Sequence, residues 1–196
     1  MDKKTGNAKG SVFINVKEYI LSTEGQDAWN RILNNLSVSD RKILDGNIIK
    51  SEWYPAPLLN RLIKTYDLLV GKGDLRAVTP IAEHIASKDL KPLFDAFVDL
   101  NNPNIVLNNT PALWSRYFDS GRLELDILDL DNNFSILHLY EVADQNRASG
   151  VAICNFAVPK WLKLGLLLCG ASSVNIVHTS CRYKGAEFCK YEVTWE

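Results

Sequence analysis

The spacing of apolar residues changes once along this chain, near Arg122, and that change restricts the fold more than any other feature. Before it, apolar side chains recur three and four residues apart, the spacing of one helix face. Gln26 to Leu36 places Ala28, Trp29, Ile32, Leu33 and Leu36 on such a stripe. Ser37 or Ser39 can cap a short helix from Asp40 to Leu44, which Gly46 stops. Pro55 and Pro57 suit the first turn of a helix reaching Val70, with Leu58, Leu62 and Leu69 on one side. Asp74 opens a helix through Ala86, and Lys91 to Leu100, bearing Leu93 and Phe97, forms a shorter one. Thr110 and Pro111 form an N-cap pair for a helix that ends at Gly121.

After Arg122 the pattern is that of strands. Leu123, Leu125 and Ile127 alternate, then Leu128 and Leu130 follow out of step, which predicts a strand with a bulge. Asp131-Asn132-Asn133 turns the chain into a partner strand over Phe134 to Val142. A polar run from Ala143 to Gly150 leads to a last helix between Val151 and Cys169. The tail reads as a second hairpin, Val174 to Cys181 and Glu187 to Trp195, turning at Lys184-Gly185-Ala186. The expectation is an α+β fold, with an N-terminal helical layer packed on a mostly antiparallel sheet made of two C-terminal hairpins. Residues 11–196 then form one domain, mainly helical over 11–121 and hairpin-helix-hairpin over 122–196, behind a flexible tail at 1–10.

A chain of 196 residues suits one domain with its own core. Its 22 basic and 23 acidic residues nearly cancel, so no strong field recruits nucleic acid or an anionic membrane. The first residues lack an apolar leader, and the apolar run Val158 to Gly170 is short and carries Lys160 and Lys163. The reading is a cytoplasmic protein with no membrane span, whose four cysteines stay reduced.

A turn at residues 184–186 sets Cys181 opposite Cys189, about 4.5–5.5 Å apart at Cβ. The same face carries Tyr191, Val193 and Trp195, so the pair belongs to the buried side. His178 falls on the other face of a regular strand, and a bulge near Ser180 would bring it round. Cys154 or Cys169 would complete a tetrahedral site from the helix. Buried thiols, a zinc site and a regulatory disulfide all remain open from these residues alone.

The stretch from Pro159 through Gly165, Cys169-Gly170-Ala171, Val174, Ile176, His178, Cys181, Gly185, Cys189, Tyr191, Val193 and Trp195 resembles the C-terminal signature of the 4-vinyl reductase-type superfamily. Haem-NO-binding-associated domains, bacterial phenol-sensing domains and TRAPP-like trafficking subunits are relatives. Ser51-x-Trp53-Tyr54-Pro55 and Leu113-Trp114-x-Arg116-Tyr117-Phe118 resemble a poorly characterised myxobacterial-type branch. The resemblance implies an α+β dimeric sensory or scaffold module, usually not an enzyme, that binds small apolar molecules. It also implies a zinc held by Cys181 and Cys189, with His178 in the place of an acidic ligand and Cys154 one residue out of register. Gly185-Ala186 replaces the usual Gly-Asp of the turn.

No phosphate-binding loop, nucleophile elbow or HExxH motif is present in the sequence. Haem is not expected, because the Tyr-x-Ser-x-Arg propionate motif is missing and the histidines stand alone. The acidic run Glu124, Asp126, Asp129 and Asp131 reads as a solvated strand face and turn. Trp53, Tyr54, Trp114, Tyr117, Phe118 and Trp161 are the candidate ligand-pocket residues, and Trp53, Trp114 and Trp161 should share a cavity. The expected function is a non-enzymatic sensory or binding module for a small apolar ligand; the alternative is a dimeric protein-interaction scaffold with a closed pocket. A homodimer through the Leu58-Leu62-Leu69 and Leu93-Phe97 stripes and a protein partner complete the expectations.

Overall fold

The two C-terminal hairpins, β3 (Leu123–Asp129) with β4 (Phe134–Leu139) and β5 (Val174–Ser180) with β6 (Cys189–Trp195), merge edge to edge into one four-stranded antiparallel sheet in the order β3-β4-β6-β5. The computed structural model describes residues 6–95, 102–140 and 147–196. Strand β6 pairs with both β4 and β5, which buries it in the sheet centre. Its Cys189, Tyr191, Val193 and Trp195 point into the core while Lys190, Glu192 and Thr194 face out. A register shift between Leu125 and Ile127 supplies the bulge that the sequence pattern of β3 requires. Asp129 closes the β3–β4 turn by accepting bonds from the backbone and side-chain nitrogens of Asn132.

The helical part contains α1 (Gly10–Asn34), α2 (Val38–Asp45), α3 (Ala56–Leu69), α4 (Val78–Asp95) and α5 (Asn104–Trp114). Helix α1 is interrupted at Gly25, whose φ of 82° lies in the region glycine tolerates without penalty. The cap of α2 is as expected, with the Ser37 hydroxyl accepting from the Asp40 amide. Asp40 is buried and accepts two bonds from Arg61 of α3, at 2.6 and 2.7 Å, tying α2 to α3.

Three expectations need correction. Residues 7–9 are not a loose tail: they form β1 (Asn7–Lys9), paired with β2 (Trp53–Pro55), and Ala8 is fully buried. Helix α4 runs unbroken through Lys91, where a second helix was expected; residues 96–101 and the Phe97 side chain lie outside the described residues. Thr110-Pro111 does not start a helix but sits inside α5. Proline cannot donate to the Leu107 carbonyl four residues back. The buried Thr110 hydroxyl takes that role, at 2.7 Å from Leu107 O and 3.0 Å from Val106 O. With Val106 and Leu107 fully buried, tertiary packing outweighs the local stop signal.

The last helical segment has three parts: α6 (Arg147–Ala152), a π-helical turn (Ile153–Ala157) and α7 (Val158–Leu168). With a mean hydropathy of 1.5 over Gly150–Leu168 it is long and apolar enough to cross a membrane, but Ala152, Cys154, Val158, Leu162 and Leu166 are core residues here. Apolar side chains gather in two cores. One joins α1, α2 and α3; the other joins α5, α7 and the inner sheet face. Helix α4 contributes Ile81 to the first and Leu90 to the second, and Phe118 and Trp161 pack against both. Leu58 and Leu62 are buried in the first core and Leu69 packs against it, so that stripe is covered within the chain; the Leu93 and Phe97 side chains lie outside the described residues.

Candidate functional site

Cys154, His178, Cys181 and Cys189 converge, with one ligand atom from each lying within 4.8 Å of all the others. Each arrives by an identifiable local device. Strand β5 pairs with β6 in one register from Val174 to His178 and shifts by a residue before Ser180. That bulge puts His178 on the inner face, its ring stacked on Tyr191 at 4.8 Å, while the following residues reach Cys181 on the same side. Gly185, at φ 100°, closes the 3₁₀ turn Arg182–Lys184 and returns the chain to Cys189. Cys154 comes from the π turn, which holds an extra residue relative to an α turn.

The Cys154 and Cys181 sulfurs lie 3.8 Å apart. A tetrahedral ion with bonds of about 2.3 Å to sulfur and 2.0–2.1 Å to imidazole sets ligand separations of about 3.4–3.8 Å. His178 Nδ1 lies 2.7 Å from Asn155 Oδ1, while its buried Nε2 has no partner. The amide oxygen thus fixes the tautomer with the proton on Nδ1 and leaves Nε2 as a free lone pair beside the thiols, an outer contact of the kind that orients metal-bound histidines. Tyr191 donates from its phenol to the Cys154 carbonyl at 2.9 Å and pins the π turn from below. Hydrogen bonding from Cys154, against the cost of burial, pulls the Cys189 thiol well below its ordinary range. Its bond with Cys189, then burial, pushes Cys154 far up. Cys169 is buried apart from the cluster, and burial raises its thiol.

A second feature lies where the two cores meet. An apolar cavity of about 100 Å³ is bounded by Val12, Val16, Leu59 and Ile63 on one side and by Leu123 and Val158 on the other. Of the six aromatic candidates, Trp114, Tyr117, Phe118 and Trp161 line it. Trp53 and Tyr54 do not. Trp53 is 39% exposed beneath the Lys9 ammonium, and Tyr54 packs edge-on to Phe13 and accepts from the Ile49 amide. Among the lining side chains, Trp114 donates to the Ser120 carbonyl and Trp161 to the Tyr117 phenol. Burial raises the Tyr117 phenol well above its ordinary range. Asn60, 3% exposed, completes the lining, and its Nδ2 has no partner.

Residues 11–25, Asn155 and Asn60 escaped the sequence reading. Asn60 carried a signal, since it is a polar residue that follows Leu58 and Leu59 and stands three positions before Ile63.

No family model and no curated protein matches this sequence. Solved structures do. An H-NOX protein from S. oneidensis in the Fe(II)NO state is 15% identical, with a TM-score of 0.64 over 96% of this chain and 99% of its own. The H-NOX domain from Shewanella oneidensis in the Fe(II)CO state gives 14%, 0.68, 96% and 98%. A variant H-NOX protein from K. algicida, Fe(II) and unliganded, gives 10%, 0.69, 96% and 96%.

These neighbours overturn the exclusion of haem drawn from the sequence. The missing motif was the ground for it, yet the fold is one in which other chains hold haem iron with NO or CO. The lining of this chain's cavity offers a haem no histidine: His84 lies edge-on to Tyr19, His138 stacks on Phe188, and His178 belongs to the cysteine cluster. Among the described residues, Tyr117 is the one lining side chain of a type that ligates haem iron. The cavity as it stands does not fit a histidine-ligated haem. At these identities, what the comparisons establish is that the chain has the H-NOX fold, α+β over 96% of its length.

Proposed function

We propose that this chain is a non-enzymatic, ligand-binding sensory module whose ligand occupies the cavity between the two cores. The observation that carries the reading is the lining, which is apolar except for Asn60, Tyr117 and two partnered indoles. Such a chamber suits a small apolar molecule. A ligand there touches α1, α3 and α4 on one side and α7 on the other, so its occupancy biases how the halves pack, which a protein partner can read. Native mass spectrometry of the protein as purified, followed by titration with xenon and with haemin, tests it. The expected result is a retained small molecule, or saturable perturbation confined to cavity residues. A protein that retains nothing and responds to neither probe would instead favour the closed interaction scaffold. The homodimer implied by the resemblance belongs to the same reading, and a concentration-independent monomer mass in light scattering removes it.

We also propose that Cys154, His178, Cys181 and Cys189 hold a structural zinc ion. The convergence of three thiols with a free imidazole nitrogen supports this, since Cys₃His is a closed structural donor set. The ion would clamp the π turn to the last hairpin, two segments that otherwise meet through side-chain packing, the Tyr191 phenol and the His178–Asn155 hydrogen bond.

A further inference from the structure

We infer that the free edge of β5 pairs with the same edge of a second copy of this chain, antiparallel about a two-fold axis at Ile176. This rests on the homodimer of the proposed reading, to which it gives a defined contact, and not on the cavity or the metal. Strand β5 forms one border of the sheet, with β6 on its other side. Trp195 donates its amide toward β4, to Asn133, whereas Glu196 donates toward β5, to Ser173. Bonding direction alternates along a strand, so in the observed register Asn175 and Val177 bond to β6. The N–H and C=O groups of Val174, Ile176 and His178 therefore point away from the sheet. Among the described residues, none of these groups has a backbone or side-chain partner.

The two borders of the sheet differ in kind. Strand β3 is broken by a bulge and carries Glu124, Asp126 and Asp129, devices that keep an edge from pairing. From Val174 to Ser180, β5 has no charged residue, no proline and no glycine, and its bulge comes only after His178. An unguarded edge of this kind is a template for another strand. Coverage agrees with that. Tyr191 and Val193 of β6 are fully buried, but their neighbours on β5, His178 and Ile176, are half-buried, and Val177 is 47% exposed.

Symmetry selects the occupant. A two-fold at Ile176 sets Ile176 opposite its own copy and Val174 opposite His178 in both directions. Every one of these pairs joins outward-facing residues, so each N–H meets a C=O and none is left over. On the outer face Asn175 stands opposite Val177, and no charge meets a like charge. A two-fold at Val177 would instead set Val174 opposite Ser180, beyond the bulge, and leave its groups unmatched.

Light scattering over a concentration series, with amide hydrogen exchange on the same samples, tests the pairing. Wild type should pass from monomer to dimer as concentration rises. The Val174, Ile176 and His178 amides should then slow by about tenfold or more, while those of Asn175 and Val177, already bonded to β6, should not change. Asn175→Lys with Val177→Lys sets like charges opposite each other across the two-fold and should weaken dimerisation by about tenfold. Asn175→Glu with Val177→Lys sets opposite charges there and should not weaken it. Both positions are exposed and face Thr194 and Glu192 within the chain, so neither variant sets like charges directly opposite inside a monomer. A dimer whose edge amides do not slow, or that the double lysine leaves unchanged, overturns the assignment and leaves the homodimer to another surface. Edge amides already slow in the monomer would show the edge covered by the chain itself, and overturn it as well. A chain that stays monomeric at every concentration overturns the homodimer too, and leaves the edge to an extended segment of another protein.

Discussion

Cys154 and Cys181, 27 residues apart in sequence, bring their sulfur atoms to 3.8 Å, the edge length of a zinc–thiolate tetrahedron. Two irregularities produce that distance: a π turn in the last helix and a bulge before Ser180. Such irregularities interrupt favourable backbone pairing and persist where the surrounding structure fixes them.

Protein purified without chelator should therefore contain about one zinc per chain by elemental analysis. Cys181→Ser should abolish the metal and lower stability by more than the roughly 1–2 kcal/mol of an ordinary buried substitution. Sub-stoichiometric zinc, together with an ordinary stability loss, contradicts the clamp. His178→Ala should weaken zinc retention in a chelator competition, and Asn155→Ala should do so less, by about 10–100-fold in affinity, since it acts through the imidazole.

The bond from Thr110 to the Leu107 carbonyl predicts a pairwise dependence with Pro111. Thr110→Val should cost about 1–2 kcal/mol in urea unfolding, because it leaves a buried carbonyl without a donor. In a Pro111→Ala background the alanine amide supplies the donor, so the same change should cost less. Equal costs in both backgrounds would show that the hydroxyl does not replace the missing amide.

Asp40 and Arg61 predict how stability responds to acid. The Arg61 guanidinium, together with the Ser37 hydroxyl and against the cost of burial, holds the Asp40 carboxyl below its ordinary range. A carboxylate lowered on folding stabilises the protein above its unfolded pKa and loses that contribution as pH falls through the folded value. Arg61→Ala should destabilise by about 1–2 kcal/mol at neutral pH, leaving a buried carboxylate unpaired. The gap from wild type should close near about pH 3, as both states protonate. A gap that stays constant across that range would mean that Arg61 acts through packing alone.

What the sequence disclosed follows from how local each signal is. Cys181 and Cys189 could be set opposite each other because strand alternation and the turn at Gly185 fix a register within fifteen residues. The shift between His178 and Ser180 was foreseeable only as a requirement, since nothing in Val177-His178-Thr179-Ser180 favours a bulge over a regular strand. Thr110-Pro111 misled because the same pair that caps a helix start can also repair a helix interior. The chamber was half visible. Trp114, Tyr117, Phe118 and Trp161 stand out in the sequence as bulky aromatics, but Trp53, of equal bulk, pairs with a lysine at the surface, a choice set by tertiary contacts. A missing motif does not exclude haem, because the fold that holds it elsewhere is encoded in helix and strand order that diverged sequences share.

The ligand chamber is tested most directly by xenon, which has no polar group and fits a cavity of about 100 Å³. Amide spectra of the wild type under increasing xenon pressure should show saturable shifts centred on Val16, Ile63 and Trp161. The same titration of Ala82→Leu, which grows a side chain from α4 into the space, should show those shifts lost while the melting temperature holds or rises. Absence of saturable shifts in the wild type, or equal shifts in the filled variant, would contradict a ligand site between the two cores.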